Sequence, residues 1–495
     1  PTLNRLAGGS NGSGWVTASP RRDLSETEVL GLGDVIDKTT RLPKTIPSGY
    51  RWNGGSFGVL ASAPALRGLL QGEWVVDWTG DADVSLTFCS GWRRINANRI
   101  EWTAPAGADI GCGVDVTRVG AGFTQIRAYR RDEESLVAAG QVFRPQYLDY
   151  ARRFKIVRPV DWQPANGQHA GMRFAAQQTD FSASNWNTAG PGFGNAADLR
   201  IAGVPLRASF RLAHDADLAL WLNVPPFLGA SADAIRMLTD EQWRGSGQVG
   251  PAAGRQAAAQ LASVEWDRYA DAIVAAMTAE NYPRNRTLFL EVGNEIWNFA
   301  WPFWTSTTWY QGLGEGLRPD GGGHRAAFGI VSARFAEAFD AALSRAGRSD
   351  QQWRIVLAGQ NANPETSRIA LASFREYFAK KNVDPTPWLA QAGVSVTSYF
   401  EGGFDPAQGA WRRLGFASES DAYWAAVLAN IRADPLASAA KLGDWAVDAA
   451  PRALNIAAML KLQNAHAQIA AENGVAFVGD YEGHDHQNIG GWPGT

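Results

Sequence analysis

Two glutamates stand where apolar runs end. Thr287-Leu288-Phe289-Leu290-Glu291-Val292 leads into Gly293-Asn294-Glu295-Ile296-Trp297-Asn298, and Val475-Ala476-Phe477-Val478 leads into Gly479-Asp480-Tyr481-Glu482-Gly483-His484. A carboxyl group at the tip of one parallel strand can face a second across the mouth of a barrel. At roughly 5 Å apart, such a pair can divide acid and nucleophile roles at a sugar acetal carbon. One carboxyl must stay protonated near neutral pH to donate to the leaving oxygen, and the other must be ionised to attack the anomeric carbon. Burial against Trp297 would suit Glu295 as the proton donor. Taken singly, each is one of 49 acidic residues, and a strand-end Glu is more often an ion-pair partner or a solvated group.

Behind Glu295 come Trp297, Phe299, Trp301, Phe303, Trp304, Trp309 and Tyr310, a density of rings that solubility does not ask of a loop. Aromatic faces stack on sugar rings at low ordering cost, so several are expected to line subsites, with the rest packing the loop onto its scaffold. The chain holds 21 Trp, an excess that a large core explains in part. The cluster Glu482-Gly483-His484-Asp485-His486 has a rival reading as a metal site. The remaining histidines, His169, His214, His324 and His466, are scattered, and no further ligand cluster is evident, so His484 reads better as a polar neighbour of a sugar or of Glu482.

The elements that would position these groups follow from periodicity. Residues 1–45 read as an irregular N-terminal arm, Gly- and Ser-rich at its start. Within 46–135, short period-two segments (Glu73–Trp78, Val84–Phe88, Arg99–Trp102, Gly113–Thr117, Phe123–Tyr129) separated by turn residues predict a small antiparallel β-sandwich. From 136 to 495, helical patterns alternate with six apolar strands, at 155–160, 218–222, 287–292, 354–358, 394–398 and 475–478. Neither a G-x-G-x-x-G nor a P-loop follows any of them, which favours a (β/α)8 TIM-type barrel over a doubly wound sheet. Only 13 residues follow Glu482, leaving the barrel short of an eighth strand. The first strand is sought around Phe57-Gly58-Val59-Leu60, which would make the sandwich an insertion after it.

Gly293-Asn294-Glu295 after an apolar strand resembles the Asn-Glu acid/base motif ending the fourth strand of clan A glycoside hydrolases, and Tyr481-Glu482-Gly483 resembles their strand-seven nucleophile. Ile156-Val157-Arg158-Pro159-Val160-Asp161-Trp162 is similar to the clan's second strand with its Arg, and Tyr399 falls where the sixth strand presents a Tyr. The resemblance covers about 150–490. It implies Glu295 as acid/base, Glu482 as nucleophile and Asn294 as donor to the sugar 2-hydroxyl. Tyr399 would be a partner of the nucleophile and Arg158 a group fixing its charge. Outside the resemblance, Arg158 reads equally well as an interior ion-pair member and Asn294 as a turn residue.

A net charge of -3, from 46 Lys+Arg against 49 Asp+Glu, speaks against a nucleic-acid partner. No run approaches the roughly 18 apolar residues of a membrane span, and the first residues lack the apolar core of a signal peptide. Cys89 and Cys112 could form one disulfide or remain two buried thiols. The combined expectation is a retaining β-glycosidase, extracellular or at the cell surface. Its partner is a polysaccharide or oligosaccharide substrate held by Asn294, Arg158, Tyr399, Trp297, Trp301 and His484, with no metal or organic cofactor. Two other classes stay open: a carbohydrate-binding protein without catalysis, and a metal-dependent hydrolase around His484 and His486.

Overall fold

The computed structural model describes residues 15–24, 26–37, 42–57, 71–105, 112–163, 165–166, 173–174, 201–202, 204–231, 233–234, 247–300, 303–398 and 456–482. The period-two segments pair into two four-stranded antiparallel sheets built from β1 (Trp15–Thr17), β2 (Tyr50–Phe57), β3 (Gly72–Thr79), β4 (Ala82–Thr87), β5 (Arg93–Asn96), β6 (Arg99–Ala104), β7 (Cys112–Val119) and β8 (Gln125–Arg130). Their orders are β1-β2-β7-β4 and β5-β6-β3-β8. Alternation decides what faces inward: Trp74, Val76 and Trp78 of β3 meet Trp52, Val84, Leu86, Val114 and Val116 in one apolar core. Val75, pointing the other way, packs with Tyr129 and Val137.

Within the stretch read as an irregular arm, Trp15–Thr17 forms a strand on β2, and Trp15 is wholly buried. Arg21 anchors that segment through two hydrogen bonds to the buried Asp115 on β7, at 2.6 and 3.1 Å. Phe57, sought as the start of the barrel, instead pairs with Cys112 inside the sandwich. Cys89 and Cys112 are bridged, with their Cα atoms 5.2 Å apart, tying the loop after β4 to the start of β7.

Each of the six apolar strands expected beyond the sandwich is present: β9 (Ile156–Val157), β12 (Ala219–Val224), β13 (Leu288–Val292), β14 (Trp353–Gly359), β15 (Ala392–Thr397) and β16 (Ala476–Glu482). A short parallel pair, β10 (Arg173–Phe174) and β11 (Ile201–Ala202), lies between β9 and β12 in the chain. The (β/α)8 TIM-type barrel expected from the alternation, short of its eighth strand, is corrected to an open six-stranded parallel sheet among the described residues. Among the described residues β9 pairs only with β12 and β16 only with β15, so both stand as edges, and the repeating strands number six rather than eight. Closure needs the first and last strands to share a ladder, and local βα periodicity carries no information about that long-range pairing.

The chain divides into two compact units, residues 1–324 with 334–354, and 325–333 with 355–495. In the first, the helix Glu265–Ala279 buries Trp266, Tyr269, Ile273 and Met277 along one face, as its spacing predicts. The helices Val249–Leu261 and Trp304–Leu317 meet backbone to backbone: a Cβ built on Gly312 would stand 1.8 Å from the Gly250 carbonyl oxygen. In the second unit, β14, β15 and β16 run parallel, and the helices Glu365–Lys380 and Ile456–Glu472 are joined by a buried bond between Ser367 Oγ and His466 Nδ1 at 2.7 Å. His466 Nε2 lies 3.1 Å from the Asn361 carbonyl oxygen. Nε2–H therefore donates, Nδ1 accepts from the Ser367 hydroxyl, and the network calls for a neutral ring.

Gly312→Ala is expected to lower the melting temperature, because an overpacking cost of about 1–3 kcal/mol exceeds the helix-propensity gain of about 1 kcal/mol. Gly250→Ala, whose Cβ would meet nothing closer than the Thr308 oxygen at 3.6 Å, is expected to leave it level or raise it, and thermal melts of the pair check the contrast. Burial holds the His466 imidazole below its usual range. Its contribution to stability is then complete above the unfolded value of about 6.5 and is lost as pH falls below it. Melting at pH 7.5 and 5.5 should show a drop that His466→Gln reduces; an undiminished drop in the variant would assign it elsewhere.

Candidate active site

Strands β12 and β13 run parallel with Trp221 beside Phe289 and Asn223 beside Glu291. Pleating puts residues two apart on one face, so these four side chains share a face whose last members are polar. Trp221 and Phe289 stack with ring centroids 5.5 Å apart, and the Arg158 guanidinium lies 5.7 Å from the Trp221 ring. On this floor Glu291 Oε2 receives donors from Arg158 Nη2 at 2.8 Å, Arg158 Nε at 3.2 Å, Trp221 Nε1 at 2.9 Å and Asn223 Nδ2 at 3.1 Å. Glu291 is only 1% exposed. Burial pushes its carboxyl above the usual range, while the Arg158 charge and the Trp221 and Asn223 donors pull it back.

Arg158 Nη2 also donates to Asn294 Oδ1 at 2.8 Å, and Asn294 Nδ2 donates to Asn166 Oδ1 at 3.0 Å. The structure thus brings together Arg158 and Asn294, two of the residues singled out in the sequence. The carboxylate that Arg158 grips is Glu291, which in the sequence stands only as a member of an apolar strand. Asn294 keeps one amide hydrogen beyond its bond to Asn166, since a carboxamide carries two.

The turn after β13 presents Glu295. Gly293, at φ 69°, accepts the left-handed region without cost, and a Cβ there would fall 2.5 Å from the Ile296 Cδ1. Glu295 is left-handed as well, at φ 48°, and is buried at 4% exposure. For a residue with a Cβ this conformation costs on the order of 1–3 kcal/mol and persists where its surroundings enforce it, often at functional positions. The enforcing bonds are local: Asn298 N–H donates to the Glu295 carbonyl at 2.8 Å, and Asn298 Nδ2 donates to Glu295 Oε2 at 2.7 Å. Asn298 is held in turn, its carbonyl accepting from Thr307 Oγ1 at 2.6 Å.

In the second unit, Glu482 ends β16 and is half-buried, with Tyr481 buried before it. The Glu482 carbonyl accepts from Ser398 N–H at 2.8 Å. Register shifts against β15 leave Val478 and Tyr481 as extra residues on β16, so two bulges precede the glutamate. Bulges re-aim side chains and concentrate near active sites. Of the aromatic run, Trp309 and Tyr310 are core: Trp309 Nε1 donates to Gln260 Oε1 at 2.9 Å and Tyr310 OH to the Pro226 carbonyl at 3.1 Å. Trp297 is half-buried and Phe299 exposed. Nine of the tryptophans are buried among the described residues, which assigns much of the Trp excess to packing. Trp301, Tyr399, His484 and His486 lie outside the described residues.

Among the described residues no group of three or more His, Cys, Asp or Glu side chains is arranged to hold a metal ion, and no helix is long and apolar enough to cross a membrane. No protein-family model, curated protein or solved structure matches the chain. The residues missed at the sequence level had a signal. Glu291 interrupts Leu288-Phe289-Leu290 and Val292, and Asn223 interrupts Trp221-Leu222 and Val224; both are polar side chains inside strands otherwise apolar.

Arg158→Met is expected to cost about 3–5 kcal/mol at neutral pH, the penalty of an unpaired buried charge. The Glu291 carboxyl, already raised by burial, would rise further. Because a folded value above the unfolded one withholds stability only as pH climbs past the unfolded value, the loss should shrink towards pH 4.5. Urea unfolding at pH 7.5 and 4.5 measures both losses, and equal values would mean that Arg158 supports the fold by packing alone.

Proposed function

We propose that the chain is a retaining glycoside hydrolase cleaving β-glycosidic bonds of a polysaccharide or oligosaccharide, with Glu295 as acid/base and Glu482 as nucleophile. The observation that carries the reading is Glu295 itself. It is a carboxyl group buried at a parallel strand end, held in a left-handed turn and oriented by Asn298, beside an Arg158–Glu291–Asn294 network that keeps the turn in place. Catalytic groups of parallel α/β units stand at the carboxyl ends of their strands, and both glutamates do.

In the first step Glu295 gives its proton to the glycosidic oxygen as the bond to the anomeric carbon breaks, and a Glu482 oxygen forms the ester bond to that carbon. In the second, Glu295 takes a proton from water, the water oxygen attacks the same carbon, and Glu482 leaves as carboxylate. Asn298 orients the Glu295 carboxyl group through its Oε2. Asn294 turns its remaining amide hydrogen to the sugar 2-hydroxyl, while Arg158 positions Asn294. Trp297, Trp301, Tyr399 and His484 complete the sugar contacts of this proposal. The Cys89–Cys112 bridge supports an extracellular or surface location, where disulfides persist.

Glu295→Gln keeps the shape and removes the transferable proton. Turnover on a responsive polysaccharide, read as reducing ends, should fall by about 10²–10⁴-fold with binding kept. The first product of the unsubstituted chain should carry the anomeric configuration of the bond cut. Unchanged turnover in the variant would end the catalytic assignment, and binding without turnover by either chain would leave a carbohydrate-binding protein.

A further inference from the structure

Five non-glycine residues have positive φ among the described residues: Phe88, Asp217, Asn281, Glu295 and Asn382. Asn and Asp tolerate this region. Two members have no such excuse: Glu295 at the candidate active site, and Phe88 at φ 64°. Phe88 follows β4 on the sandwich, and 68% of its surface is exposed, the highest value for a large hydrophobic residue among those described.

The backbone after the ring is pinned, and two groups lie near the ring itself. The next residue, Cys89, is bridged to Cys112. Two residues on, the Ser90 carbonyl accepts from the buried Trp102 indole N–H at 3.1 Å. The ring edge lies against Gly113, where a Cβ would come 3.0 Å from Phe88 Cδ2, so glycine leaves the notch the ring occupies. The Arg21 guanidinium, clamped by buried Asp115, sits 5.6 Å from the ring centroid. An aromatic side chain is thus presented to solvent from a left-handed, pinned stretch of backbone, with the Arg21 guanidinium beside part of its surface.

We propose that Phe88 is the stacking platform of a second saccharide-binding site on the β-sandwich, flanked by Arg21, that holds the chain on a polymeric substrate. It extends the saccharide reading to binding away from Glu295. One ring with a polar flank matches the apolar face and hydroxyl rim of one sugar residue. A protein partner would need roughly 800 Å² on this side, several times what one ring offers. Strain retained at an exposed residue marks a position held for something other than stability.

The test is native electrophoresis of the full chain through gels containing hydroxyethylcellulose, arabinoxylan or galactomannan. Retardation is expected in at least one gel, weakened at least tenfold by Phe88→Ala and kept by Phe88→Tyr. Hydrolysis of a short oligosaccharide from the same polymer should be unchanged in Phe88→Ala. Phe88→Gly, which relieves the left-handed strain, should melt no lower than the parent while losing retardation. No retardation in any gel, or equal retardation of Phe88→Ala, overturns the proposal. Phe88-dependent retardation without hydrolysis by the parent keeps this site and removes the catalytic reading; hydrolysis without such retardation does the reverse.

Discussion

A carboxylate buried among parallel strands must be answered by donors that do not move. Glu291 is answered by Arg158, Trp221 and Asn223, drawn from β9's end and from β12, all converging on one oxygen. This constrains register. A slip of one residue between β12 and β13 would turn Glu291 to the opposite face and part it from Arg158, Trp221 and Asn223. The same guanidinium reaches Asn294, so the bond that satisfies the buried charge also sets the turn from which Glu295 projects. Stability and site geometry are one requirement here.

Strain is distributed unevenly over the molecule. The two positive-φ residues without local tolerance, Glu295 and Phe88, stand in turns restrained by unlike means: side-chain and backbone hydrogen bonds from Asn298 in one, a disulfide and a glycine notch in the other. Both turns come directly after a strand, where a rigid ladder supplies the leverage that keeps a costly conformation populated. The β16 bulges before Glu482 serve the same end without left-handed side chains, by adding residues to one strand and re-aiming the glutamate at its end.

How much was legible in the sequence depends on the range of the interaction. The period-two segment Glu73–Trp78 was legible as a strand, and its buried face, Trp74, Val76 and Trp78, follows from the same pleat. The helix face Trp266, Tyr269, Ile273, Met277 was legible because residues three and four apart share one side of a helix. Barrel closure was not, since β9 and β16 look like any other apolar strands and only their partners make them edges. Glu295 stood out by its neighbours, whereas Glu291 was hidden inside the strand's own ladder, visible only as a charge in an apolar run.

The sequence by itself therefore determined the local elements: which segments are strands or helices, which faces turn inward, and which carboxyl groups stand at strand ends. Those follow from periodicity and turn chemistry, which act over a few residues. Tertiary structure alone decided that Arg158 pairs with Glu291, that Trp309 and Tyr310 are core rather than cleft, that Trp15 belongs to the sandwich, and that among the described residues the parallel strands end in edges. Each of these depends on which distant segment arrives as a neighbour, and burial gives a side chain its role only once that neighbour is in place.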